Sequence, residues 1–171
     1  EEPAAETPRL SLRTEKKVRH AAFLWLMMPD YSRLHIPAGR ADYVLKVSES
    51  PQEKLFLAQP RFFKKNQKLR LYRADMHMHG VGVATGLRRE HGKIFEKVVN
   101  IKHWRPMGLS HFWLEKPLTL NPGDRLELTC RYDNSPANPR RPMRDGKSVS
   151  LDWGWDWNQE MCMTFLYIAA A

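Results

Sequence analysis

Leu118-Thr119-Leu120-Asn121-Pro122-Gly123-Asp124-Arg125-Leu126-Glu127-Leu128-Thr129 packs two short apolar runs around one Pro-Gly turn. Runs this short, broken by Pro, Gly, Asn and Asp, are the signature of strands joined by tight turns. The texture repeats outward in both directions. Ala21–Met28, Tyr43–Val47, Leu55–Leu57, Val81–Ala84 and Cys162–Ile168 are further short runs. Pro29-Asp30, Pro37-Ala38-Gly39 and Asp145-Gly146 stand among them as turn signals. No segment carries a 3.6-residue apolar stripe over ten or more positions. The reading is an all-β, jelly-roll-like antiparallel sandwich of about eight or nine strands. The polar stretch Asp133–Lys147 reads as a loop.

Length and composition narrow the class. A chain of 171 residues suits one domain, and 42% hydrophobic residues suffice for a core. The longest uninterrupted apolar run, Ala21–Met28, falls far short of the ~20 residues a membrane-spanning helix needs. Two cysteines in such a length do not make a small disulfide scaffold. The net charge of +9 favours an anionic partner, a protein or a membrane surface. Residues 1–18 are charged and poor in large apolar side chains, and read as a linker or extended tail. Residues 19–168 read as the folded domain. A start at Glu1 suggests a processed or truncated product. Ala169-Ala170-Ala171 reads as a scar or unassigned remnant and is set outside the fold.

The local chemistry centres on Met76-His77-Met78-His79. On a strand, side chains alternate faces, so His77 and His79 share one face and the two methionines the other. Two imidazoles hold an ion only with a third ligand from elsewhere, and a thioether would favour copper. The alternative is a pair of ordinary strand histidines. Glu160-Met161-Cys162-Met163 is the second feature. Cys162 either pairs with Cys130, closing a loop worth about 3–4 kcal/mol, or both remain free thiols.

Taken together, the segments resemble the C-terminal domain of the copper type II, ascorbate-dependent monooxygenases. The matching pieces run in family order over about residues 20 to 168. They are Ile36-Pro37-Ala38-Gly39, His77-Met78-His79, Leu120-Asn121-Pro122-Gly123-Asp124, Thr129-Cys130-Arg131-Tyr132-Asp133-Asn134 and Glu160-Met161-Cys162. Asp133-Asn134-Ser135-Pro136-Ala137-Asn138-Pro139 is similar to a motif of bacterial relatives. The resemblance implies one copper on His77, His79 and Met161, at the position where dioxygen and substrate react. It also implies a Cys130–Cys162 disulfide, and hence an extracytoplasmic, periplasmic or secreted, setting.

The chain departs from the pattern in three respects. The family's electron-transfer domain, with three histidines on a second copper, has no counterpart, since His20, His35, His91, His103 and His111 are scattered. A hydroxylase would therefore need a missing domain or subunit, or an external reductant such as ascorbate. Asp75 stands where the peptide-amidating enzyme has a carboxylate-binding Arg, and Phe165 where it has a Tyr. A peptide carboxylate is thus not the expected substrate; Asp75 either attracts a cation or pairs with Arg73 or a Lys.

Two further groups stand out. Trp153, Trp155 and Trp157 form either an aromatic wall near the metal or core filling. Arg61-Phe62-Phe63-Lys64-Lys65 and Arg140-Arg141-Pro142-Met143-Arg144 read as solvated basic faces; without a recognition motif, nucleic acid is not the expected partner. The competing functional reading is a non-catalytic structural or accessory subunit, docking through its basic and Trp-rich surface.

Overall fold

In the computed structural model, residues 9–17, 20, 22–106 and 110–171 are described. Among them eight long strands form two antiparallel sheets. The first sheet orders β1 (Ala22–Met27), β12 (Met163–Ala170), β4 (Leu69–His77) and β7 (Ser110–Leu120). The second orders β3 (Tyr43–Glu49), β8 (Arg125–Tyr132), β5 (Gly82–His91) and β6 (Ile94–Ile101). Apart from the β5–β6 hairpin, successive long strands pass from one sheet to the other, in jelly-roll manner. The expected all-β sandwich is what the chain forms. Short strands decorate it: β2 (His35–Ile36) pairs with β11 (Leu151–Asp152), and β9 (Met143–Arg144) with β10 (Lys147–Ser148).

Alternation builds the core. On β8, Leu126, Leu128, Cys130 and Tyr132 are buried, while Arg125 and Arg131 are exposed. The β7–β8 turn is closed by Asp124, fully buried, whose carboxylate accepts from the Asn121 amide at 2.8 Å. Gly123 takes φ +88° there, a conformation that glycine adopts without steric cost.

β4 is less regular, and its irregularity matters for function. Leu69 and Leu71 point into the core, and so do Ala74 and Met76. Odd positions face inward first and even positions later. The switch is a bulge at Tyr72, which has no partner on β12 or β7; on the β7 side residues 114–117 are skipped as well. Such an extra residue reverses which face each later side chain occupies. His77 is thereby turned to the outer face, together with Arg73 and Asp75.

Four expectations need correction. Leu55–Leu57 lies in a helix, α1 (Pro51–Ala58), not in a strand-like run. Ser50 caps it by accepting from the Glu53 amide, and Pro51 takes the first turn. Its eight residues are too few to show a stripe. Asp133–Lys147 is not wholly loop, because Asp145 and Gly146, both at positive φ, turn the β9–β10 hairpin. Phe63 is buried inside the basic run, although Phe62 is exposed. Ala169 and Ala170 belong to the fold: Ala169 pairs with Ala22 and Arg70, and Ala170 with Leu69.

Residues 9–17 form no regular element, and Leu10 and Leu12 are exposed. The rest of the expected tail, residues 1–8 and 18, lies outside the described residues. No helix among the described residues is long and apolar enough to cross a membrane.

Candidate metal centre

β4 ends at His77, and the chain then turns through Met78 and His79 before β5 begins at Gly82. Met76 and Met78 are buried in the core; His77 is half-buried and His79 is 7% exposed. The imidazole rings stand 5.1 Å apart, centroid to centroid, and nearly perpendicular. The expected alternation holds for Met76 and His77, but the strand stops there, and Met78 lines the same cavity as the two histidines. Opposite His77 in the sheet is Met163, so Met161 arrives from the neighbouring strand's entry. His77, His79 and Met161 line one cavity of about 540 Å³. The three residues named from the sequence are brought together.

The segment carrying Met161 is fixed by buried polar groups. The Glu160 carboxylate is fully buried. One of its oxygens accepts from the His79 amide at 2.8 Å and the Met161 amide at 3.2 Å, and the other from the Val81 amide at 2.7 Å. Burial pushes its pKa up to about 7, against the opposing pull of these amides. The Tyr132 hydroxyl donates to the Met161 carbonyl at 2.8 Å. Burial raises the Tyr132 pKa, and the nearby Glu160 charge adds to the effect. One residue on, Cys162 is joined to Cys130 on β8 in a disulfide, both sulfurs being buried. The bond ties the second sheet to the start of β12.

The protonation of His79 follows from its partner. Its Nδ1 lies 3.0 Å from the Gln159 carbonyl oxygen, which can only accept. Nδ1 therefore carries the hydrogen, and the Nε2 lone pair is left for an ion. Among the described residues no three His, Cys, Asp or Glu side chains gather where they could hold a metal. Met161 and Met78 both line the cavity with the two histidines, so a thioether is the further kind of donor available among the described residues there. Two imidazoles and a thioether, with the cysteines withdrawn into a disulfide, form a donor set that suits copper better than magnesium or calcium.

Trp155, Trp157, Met78 and Pro106 complete the cavity. Trp155 and Trp157 are 75% and 76% exposed, whereas Trp153 is half-buried. The Trp157 ring lies 5.9 Å from that of His79. An aromatic wall thus stands beside the imidazoles, with Trp153 held behind it against Tyr31 at 4.0 Å.

Asp75 is no open cation site. It is 2% exposed, with Arg73 at 2.9 Å and His111 at 2.8 Å. Phe165 lies beside it across the β4–β12 ladder. His35 and His91 are engaged with Asp152 and Asp124, away from His77. A larger groove of about 630 Å³ on the second sheet has no His, Cys or Met in its lining.

The sequence reading gave no role to Glu160, Gln159 or Tyr132. A charged residue inside the apolar Glu160–Met163 run was the available signal for the first, because a carboxylate there must find donors. Neither models of known protein families nor curated proteins match this chain.

Proposed function

We propose that the protein is an extracytoplasmic copper-binding domain, with one copper held by His77, His79 and Met161, in the manner of the dioxygen-site half of copper monooxygenases. The observation that carries this reading is the convergence of two imidazoles and a thioether on one cavity beside a disulfide. Copper bound there would supply dioxygen binding and one-electron redox chemistry. The chain's own residues hold the site in shape. Gln159 sets the His79 tautomer, Glu160 clamps the backbone of His79 to that of Met161, and the indoles limit water access. The disulfide favours an oxidising compartment, periplasmic or secreted.

Hydroxylation of a C–H bond consumes two electrons beyond those of the substrate bond. One copper provides one of them, so catalysis would need a second copper domain, a partner subunit or an external reductant such as ascorbate. The competing reading is a non-catalytic accessory subunit. The exposed Trp113, Trp155 and Trp157, with the +9 charge, support docking to an anionic protein or membrane surface.

Titration with Cu(I) and Cu(II) tests the metal. One equivalent is expected in the wild type, lost or weakened at least about tenfold in His77→Ala and Met161→Ala. The absence of binding in the folded, oxidised wild type rejects the copper reading. Ascorbate-dependent dioxygen uptake with a stoichiometric hydroxylated product then separates an enzyme from a carrier.

A further inference from the structure

We infer that the cavity at His77 and His79 takes an uncharged aromatic ring, seated between the indoles and the donor set. The inference rests on the copper reading for the meaning of the site, but not for the binding itself. Its first support is what the lining lacks: among the described residues that form the cavity there is no Lys, Arg, Asp or Glu. An anion would find no Lys or Arg among the described lining residues. Asp75, on the same sheet face as His77, is already taken by Arg73 and His111 and covered, and Asp156, between the two tryptophans in sequence, is exposed and not part of the described lining. An organic cation, unlike a metal ion held by imidazole and thioether donors, would find no carboxylate among the described lining residues.

The second support is what the lining contains. Two tryptophans three-quarters exposed are unusual on a surface unless something covers them. Both are held in place from behind. Trp155 meets Trp153 edge-on at 5.6 Å, and Trp153 is stacked on Tyr31. Trp157 rests against His79. Indoles fixed in this way present flat faces at little entropic cost, which favours a planar ligand. A sugar is a poorer fit. Its hydroxyls would need several donors and acceptors, and beyond the imidazoles the lining side chains offer only the indole N–H groups.

The experiment uses the whole oxidised protein, metal-free and copper-loaded, with 2-naphthol as the probe. Its charged analogues 2-naphthoate and 2-naphthylmethylammonium, and methyl glucoside, are the comparators, and calorimetry reads the binding. The expected result is binding of 2-naphthol, with each comparator weaker by about tenfold or more. Trp155→Ala or Trp157→Ala should weaken 2-naphthol about tenfold in the metal-free protein. Trp113→Ala, at an exposed indole on β7 outside the cavity, should change nothing. Equal or tighter binding of any comparator, or loss of binding only in Trp113→Ala, overturns the inference. The two readings fail separately. Copper binding without 2-naphthol binding rejects the aromatic ligand alone, and 2-naphthol binding without copper binding rejects the metal alone.

Discussion

Glu160 shows how one side chain can organise a site without touching its ligand. Its two oxygens receive three backbone amides from two segments 79 or more residues apart or adjacent in sequence. Glu160→Gln keeps the shape but turns an NH₂ toward an amide that needs an acceptor. The expected cost is about 1–3 kcal/mol, read by urea denaturation. The pH dependence has a definite sign. In the metal-free protein the folded pKa, about 7, lies above the ordinary value of 4.5. The folded state therefore holds this proton more tightly than the unfolded state. Its contribution is full below pH 4.5 and is lost as pH rises through about 7. The stability gap between wild type and Glu160→Gln should narrow across that window and stay level above it. A gap that widens with pH would show that the amides, not burial, govern the carboxyl.

The β4–β5 connection is where element-scale packing meets the metal set. Gly82 opens β5 directly beneath Met78. A Cβ there would come within 2.8 Å of the Met78 Cε and 3.0 Å of Trp104 Cδ1. Gly82→Ala should displace Met78, the residue between the two histidines, and destabilise by about 1–3 kcal/mol. Copper should bind more weakly as well, and unchanged copper affinity would mean that the His77–His79 spacing does not depend on this packing. Much of this element was legible. Alternation gave the faces of Met76 and His77 but not that of Met78, which lies past the strand's end and lines the histidines' cavity, and the Pro-Gly turn before β8 gave a correct strand boundary. The bulge at Tyr72 was not legible, because nothing in Leu69–Met76 marks a skipped residue; it arises from pairing with two strands distant in sequence. The same holds for α1, whose only sign was the Ser50-to-Glu53 cap. The thioether's approach to the histidines depends on the β4–β12 register, which sequence alone expresses only through resemblance.

At the scale of the whole molecule, the two sheets are held by a shared core and by one covalent tie. Cys130 and Cys162 are 32 residues apart, the first on β8 of the second sheet and the second immediately before β12 of the first. Reduction, or Cys130→Ala with Cys162→Ala, should lower stability by about 3–4 kcal/mol. Because Met161 precedes Cys162, copper affinity should fall in the same variants. An unchanged denaturation midpoint would show that the core alone fixes the sheets.

That tie also has a bearing on timing. Before it forms, the nascent chain presents two soft thiols within reach of the copper ligands, and any early copper would be drawn to them. Once it has formed, the rival sulfurs are gone and the thioether is in place. If the proposed copper reading holds, maturation would have a built-in order, oxidation first and metal loading second, met by a chain that reaches an oxidising compartment before it meets copper.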